Sequence, residues 1–334
     1  MARGRGERLS RRLVATVNDN ARNPTLHPLI VLAGPTASGK SALAMTLAER
    51  FHGEIVSCDS VAVYRGMDIG SAKPSAADRA RIPHHGLDLF TPDQPCTAGD
   101  YARAAREALA GIRHRVRTPF VSGGTGLYLR ALLAGLSASP PRDEALRARL
   151  RHSAEKHGRA WLHRVLSRLD AGAAQSIHAH DAPKLIRALE MRLLACRPQR
   201  EQWAAGSDAL TGYRVLSLAL SPPRAALYER INARASAMFA HGLVEETSSL
   251  LAAFGERCAA FDALGYAQAR AVLRGEITPE QAVADAQQGH RRYAKRQLTW
   301  FRHQHRMQWL EGFGDDASIA RQATARVEEF LRLH

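Results

Sequence analysis

The chain has 334 residues, 45% of them hydrophobic, 24% charged and 6% aromatic, which is globular chemistry and excludes wholesale disorder. At roughly 150 residues per domain this length suggests about two domains. Lys+Arg 47 against Asp+Glu 32 gives a net charge of +15, which directs attention to a polyanionic partner.

No run approaches the roughly 18 consecutive apolar residues that cross a bilayer, and an apolar signal-peptide core is missing at the N-terminus. No membrane partner and a cytoplasmic setting are therefore expected. The four cysteines, Cys58, Cys96, Cys196 and Cys258, form no C-x-x-C pair. Neither a structural zinc site nor a disulfide framework is expected.

Residues 1–27 are polar and Arg-rich, with six Arg against two acids, and read as a flexible basic extension. Leu29-Ile30-Val31-Leu32-Ala33 is an apolar run suited to a buried parallel strand. A Gly-rich loop follows, and Ser41 to Phe51 has helical spacing, with Leu43, Leu47 and Phe51 on one face. Glu54–Cys58 reads as the next strand, Tyr101–Arg115 as a helix and Pro119–Ser122 as a further strand. Strands alternating with helices indicate α/β architecture with a parallel sheet.

The pattern stops near Ser139-Pro140-Pro141. Residues 139–205 read as a helical insertion, with thirteen Lys/Arg against seven acids. Arg214–Leu220 is one more strand. Beyond it 224–254, 262–274, 279–311 and 316–333 read as helices. The expected plan is a P-loop NTPase-like core over 28–138 and 206–334, with C-terminal helices, interrupted by the insertion. Residues 290–306 hold six Lys/Arg and no acid. The scarcity of lysine, five residues in all, also fits a generally Arg-rich proteome.

Gly34-Pro35-Thr36-Ala37-Ser38-Gly39-Lys40-Ser41 matches G-x-x-x-x-G-K-[ST] between a strand and a helix. Its glycines let the backbone wrap a phosphate, Lys40 adds a cation, Ser41 offers a ligand to Mg²⁺, and the helix N-terminus adds its dipole. The motif implies binding of a di- or triphosphate, not hydrolysis of ATP. Asp59, at the end of the second strand, is a candidate base beside the loop; the alternative is a capping Asp. The strand before Gly123 ends in Ser-Gly-Gly-Thr with no acid, which disfavours a motor ATPase or a GTPase.

GPTASGKS, SCDS, VYRGMDIGSAKP, PHHGLDL, SGGTGLYLRALL and YAKRQLTWFR occur in this order between about Leu29 and Leu310. Together they resemble the tRNA dimethylallyltransferases. The resemblance implies transfer of a dimethylallyl group from dimethylallyl diphosphate to N6 of adenosine 37, beside the anticodon of tRNAs reading codons that begin with U. N6-(dimethylallyl)adenosine and diphosphate would be the products. It also implies Thr36 at the bridging oxygen, Lys40 and Mg²⁺ on the diphosphate, and Asp59 as acceptor of the amine proton. Thr125 and Arg234 would line the channel where donor and amine meet. The other roles open to them are a helix-capping hydroxyl for Thr125 and a solvated helix arginine for Arg234.

By the same resemblance, Asp59, Ser60, Val61, Ala62, Thr125, Lys184, Arg187, Gly265, Tyr266, Arg291, Arg292, Lys295 and Arg296 would touch the tRNA anticodon stem-loop. His84 and Tyr128 are further candidate base contacts, His84 being at least as well suited to a hydrogen-bonded core role. Two departures concern tRNA contacts: Pro183-Lys184 stands where Gln-Arg is common, and Asp262 stands where Arg is common. A monomer is expected. A small-molecule or nucleotide kinase and a non-catalytic RNA clamp remain alternatives on the phosphate loop alone.

Overall fold

The computed structural model describes residues 26–136, 140, 142–158, 160–195, 208–304 and 306–332. The basic extension, apart from its last two residues, lies outside them, as do the start and the end of the 139–205 insertion.

A parallel sheet of order β3-β2-β4-β1-β5-β6 forms the centre. β1 (His27–Ala33) lies between β4 (Thr118–Gly123) and β5 (Tyr213–Leu220), with Ile30 opposite Phe120 on one side and Leu216 on the other. β2 (Gly53–Cys58) pairs with β4 and with the two-residue β3 (His84–His85). Alternation sends β1 side chains to both faces of the sheet. Leu29, Val31 and Ala33 join one core, and Ile30 and Leu32 join the other. A strand buried on both faces needs the continuous apolar run that this segment has.

Helix α1 (Lys40–Arg50) buries Leu43, Ala44, Leu47 and Ala48. With α13 (Ala317–Arg332) it covers one face of the sheet. The opposite face carries α3 (Ala98–His114), whose N-terminus is closed by a Thr97–Asp100 capping box, and α4 (Gly126–Ala134). α2 (Ala76–Arg81) is a short helix between β2 and β3.

Four helices follow α4: α5 (Glu144–His157), α6 (Ala160–Leu169), α7 (Ala171–Ser176) and α8 (Ala182–Ala195). They bury a cluster of their own, including Leu150, Leu162, Leu166, Leu185 and Leu189. The buried Glu190 accepts two bonds from Arg147, both 2.8 Å, one from Arg187 at 2.6 Å and the Asp143 N–H at 2.7 Å. Burial pushes its acidity the other way, yet these donors hold the Glu190 carboxyl at about 2.

Three readings of the C-terminal half are corrected. The segment 224–254 is two helices, α9 (Arg224–Ala240) and α10 (Leu243–Phe254), because Gly242 turns left-handed at φ 95°. The helix read over 262–274 begins only at Tyr266: Asp262 closes a 3-10 turn (Ala259–Asp262), and α11 (Tyr266–Leu273) starts after Gly265, whose φ is 91°. The helix read over 279–311 stops at Arg302. α12 (Pro279–Arg302) is followed by β6 (Gln308–Leu310), which pairs with Leu218–Leu220 of β5. Three residues are too short a run to show a strand period.

Candidate functional site

The first turn of α1 and the loops after β1, β2 and β4 meet at one end of the sheet, the carboxyl end where open α/β sheets bind ligands. Gly39 N-caps α1 in the left-handed region at φ 82°. A Cβ there would come within 2.6 Å of Asp315 Oδ1, so the position excludes a side chain on space as well as on φ. Asp315 is itself held by Arg230 at 2.7 and 2.8 Å, and the Gly314 N–H donates to the Ser38 carbonyl at 2.9 Å. The C-terminal loop thus braces the phosphate loop from outside.

Lys40 folds back over the loop and donates to the Pro35 carbonyl at 2.5 Å. Burial, and then the neighbouring Arg234 cation, lower its pKa to about 7, with Asp59 opposing them. Arg234 comes from α9. Its Nη2 donates to the Ser71 carbonyl at 3.3 Å, while its enclosed Nε has no partner among the described residues. Burial lowers the Arg234 pKa, and the Asp59 charge opposes that shift. Two basic side chains and one carboxylate therefore share a desolvated corner.

Asp59 does take the capping role. Its Oδ1 accepts the N–H of Val61 at 2.8 Å and of Ala62 at 3.2 Å. Among the described residues both hydrogen bonds to Asp59 end on Oδ1 and none on Oδ2. Thr125 N-caps α4 by position, but its side chain makes no cap bond. Its hydroxyl accepts the Ser60 N–H at 3.1 Å, and its own N–H donates to the Cys58 carbonyl at 3.2 Å. Thr36, Lys40, Asp59, Thr125 and Arg234 are thus gathered at one end of the sheet.

Three side chains of α12 complete this corner, of which the sequence suggests only Tyr293, as an aromatic that the basic helix could bury. Gln297 is 6% exposed; its Oε1 accepts the Thr36 N–H at 2.8 Å and its Nε2 donates to the Gly124 carbonyl at 3.0 Å. The Tyr293 phenol is pushed up by burial and then by the Asp59 charge, with the nearby Thr125 hydroxyl opposing the shift. His290 is pushed down to about 4 by burial and by Arg234. Gln297 and Tyr293 lie inside YAKRQLTWFR, whose arginines drew attention first.

The residues expected on tRNA divide differently. Arg292, Lys295 and Arg296 lie exposed on α12, line a groove with Trp300, and have Arg296 over the Tyr293 ring. Arg291 is half-buried and bonded to Asn232. Lys184 is exposed and paired with Asp181 at 2.5 Å, while Arg187 is engaged by Glu190 and the Pro140 carbonyl. Asp262 pairs with Arg270 at 2.7 Å.

Gly265 and Tyr266 are corrected: both are buried, and Tyr266 is 0% exposed. The Tyr266 hydroxyl donates to Glu246 at 2.6 Å and accepts the Gly70 N–H at 3.2 Å. Ala62 is also buried, so its side chain offers no contact surface. Tyr128 is buried and stacked on Tyr101 with centroids 4.5 Å apart, which removes it as a base-stacking surface. His84 is half-buried on the edge strand β3 and hydrogen-bonded, donating from Nδ1 to the Ile82 carbonyl at 2.8 Å.

Ser41 stands exposed on the first turn of α1. No cluster of three or more His, Cys, Asp or Glu able to hold a metal occurs among the described residues. One hydroxyl beside a phosphate loop fits a Mg²⁺ that takes most of its oxygens from substrate phosphate and water. No helix among the described residues is long and apolar enough to cross a membrane.

The IPP transferase family model matches residues 62–304. A tRNA dimethylallyltransferase of Koribacter versatilis is 57% identical over 295 residues, covering 88% of this chain and 96% of the relative. The crystal structure of the tRNA isopentenylpyrophosphate transferase of Bacillus halodurans is similar at TM-score 0.66 and 35% identity, covering 92% of this chain and 99% of that one. A eukaryotic dimethylallyltransferase crystallised acting on tRNA is 22% identical and shares the fold at TM-score 0.76, over 92% of this chain and 80% of its own.

Proposed function

Because the chain belongs to the tRNA dimethylallyltransferase family of IPP transferases, we propose that its phosphate loop holds the diphosphate of a prenyl donor and not a nucleotide to be hydrolysed. The chain is a tRNA-prenylating transferase. The finer reading is that dimethylallyl diphosphate gives its allyl group to N6 of adenosine 37, in tRNAs reading codons that begin with U. Such a substrate places the work in the cytoplasm.

The observation that carries this reading is the corner shared by Lys40, Arg234 and Asp59. The adenine amine attacks the allylic carbon, the C–O bond to diphosphate breaks, and the amine proton passes to Asp59. Lys40 and Arg234 meet the negative charge that develops on the leaving oxygen, where water is excluded and such charges act strongly. Asp59 binds its own turn through Oδ1, so Oδ2 is the oxygen available to orient the amine and take its proton. Thr36, in the loop that Gln297 holds, supplies a hydroxyl at the bridging oxygen. Mg²⁺ on Ser41 would neutralise further diphosphate charge.

An adenine inside a stacked anticodon loop must leave the stack to reach this corner, which single-stranded loops permit at a cost of about a few kcal/mol or less. The exposed arginines and Lys295 of α12 suit phosphate contacts that hold the tRNA during that step. Incubation with unmodified tRNA and dimethylallyl diphosphate, followed by nucleoside mass spectrometry and mapping of the modified position, tests the reading. Absence of a prenylated adenosine overturns it.

A further inference from the structure

Helix α12 brings His290 against the phosphate loop. Its Nε2 is fully enclosed and has no hydrogen-bond partner among the described residues, and the same holds for Arg234 Nε. Both side chains line one tight crevice with Thr36 and Ala37 of the loop, which in the ligand-free fold has no room for a water molecule, so a ligand oxygen reaches it only as the loop or Arg234 shifts. The rest of that cleft is Ile231, Ala235 and Met238, none of which has a side-chain acceptor. Buried polar nitrogens are nearly always bonded in folded proteins, so two orphans facing one cleft beside a phosphate loop call for a ligand rich in oxygen acceptors. A diphosphate is such a ligand.

We propose that His290 is a ligand of the donor diphosphate, its Nε2–H donating to a diphosphate oxygen beside Arg234. This rests on the reading of the loop as a diphosphate site, and not on the identity of the prenyl acceptor. An imidazole suits the place for a stated reason. A further cation beside Arg234, which already lowers the Lys40 pKa, would add repulsion in the empty site, whereas a neutral ring adds a donor without it. Burial and Arg234 keep His290 neutral there. Arg234 and His290 come from α9 and α12, which pack against each other, and they oppose the Gly34–Ser41 loop. The diphosphate is then gripped from two sides.

The test uses the full chain and inorganic pyrophosphate as probe. Calorimetry should show His290→Phe, which keeps a ring and removes both nitrogens, binding pyrophosphate about tenfold or more weakly, the range for losing a bond to a charged group. His290→Gln, which keeps an N–H donor, should recover most of the affinity. The tRNA affinity of both variants should stay within about twofold of wild type by the same arithmetic. In wild-type protein labelled at histidine nitrogens, the resonance missing from His290→Gln should shift on saturation with pyrophosphate. That measurement does not depend on the Phe variant folding. Equal pyrophosphate affinity in wild type and His290→Phe, or an unmoved His290 resonance, overturns the inference and leaves the proposed function standing. A wild type that binds pyrophosphate through His290 but prenylates no tRNA overturns the proposed function instead.

Discussion

Gln297 and Thr36 are 261 residues apart in the chain and are joined by a 2.8 Å bond from the Thr36 N–H to Gln297 Oε1. Through its Nε2, the same side chain holds the Gly124 carbonyl, so one amide ties α12 to the loops after both β1 and β4. A Cβ on Gly124 would lie 2.1 Å from that Nε2.

Gln297→Leu keeps the volume but leaves an enclosed N–H and carbonyl without partners. Stability should fall by about 1–3 kcal/mol, the penalty for unmet buried groups, and donor affinity should fall because the loop loses its brace. Chemical denaturation and donor calorimetry read the two effects. Gly124→Ala should reproduce the loss of donor affinity by displacing the amide. A Gln297→Leu protein with wild-type stability and affinity would show that the staple is idle.

Lys40 gives a pH signature. Its pKa is about 7 in the ligand-free fold against an ordinary 10.5. Between those values the unfolded chain binds the extra proton, so stability should rise with pH from about 7 to 10 through this group. Lys40→Met should lack that rise. An incoming diphosphate favours the charged ammonium, so binding at pH 8 should take up nearly one proton, about 0.9 from the separation of the two pKa values. Calorimetry in two buffers of different ionisation enthalpy measures it. No uptake in wild type would place Lys40 away from the diphosphate.

Asp59→Asn keeps the Oδ1 acceptor for Val61 and Ala62 and removes the base. Turnover should fall by about 10²–10⁴-fold, with melting temperature, donor affinity and tRNA affinity unchanged. Asp59→Ala should additionally lose the turn's cap, at about 1 kcal/mol of stability. Asparagine turning over like wild type would remove the carboxylate from the proton path.

The sheet and the phosphate loop were legible because each is local: an apolar run reads as a buried strand, and Gly34–Ser41 is contiguous. Asp59 was legible for the same reason, as a strand end, whereas Thr125 and Arg234 were reached only through the family resemblance. What stayed hidden depends on packing between distant segments. Gln297 looks like any polar residue on a basic helix until the Thr36 N–H is brought to it. Tyr266 is placed on the tRNA by the family resemblance, and only the packed structure brings the Glu246 carboxylate to its hydroxyl. β6 has too few residues to reveal a period, and its pairing with β5 closes the sheet behind the loop.

Tyr266 is better understood as a positioning residue. Glu246 accepts the N–H groups of Asp68 and Ile69, Tyr266 takes that of Gly70, and the next carbonyl, Ser71, accepts from Arg234. Tyr266→Phe should lower stability by about 1–2 kcal/mol through the orphaned Gly70 N–H and the weakened Glu246. It should also raise the donor KM by loosening Arg234, while leaving the salt dependence of tRNA binding unchanged. A changed salt dependence with unchanged stability would return Tyr266 to the RNA surface.

The exposed face of α12 carries Arg292, Lys295 and Arg296, and none of the three has a salt-bridge partner among the described residues. The groove beside these cations is lined by Thr299, Trp300 and His303, with none of the residues of the Lys40–Asp59 corner, so phosphate contact is the chemistry its three cations suit. Changing all three to Ala should weaken tRNA binding and leave pyrophosphate binding intact. Each lost phosphate contact removes about 0.7–0.9 from the slope of log K against log salt, so the slope should become shallower by about 2–3 units. The loss should be alike for different tRNAs, because phosphate contacts carry no sequence information. Arg296 also covers the Tyr293 ring, so a melting curve must accompany the filter-binding series. Arg296→Lys, which keeps the charge and loses the planar stack, separates the two contributions. If the triple variant is well folded and its slope is unchanged, α12 does not lie on the tRNA surface, and the positive charge of the chain must serve that contact from elsewhere.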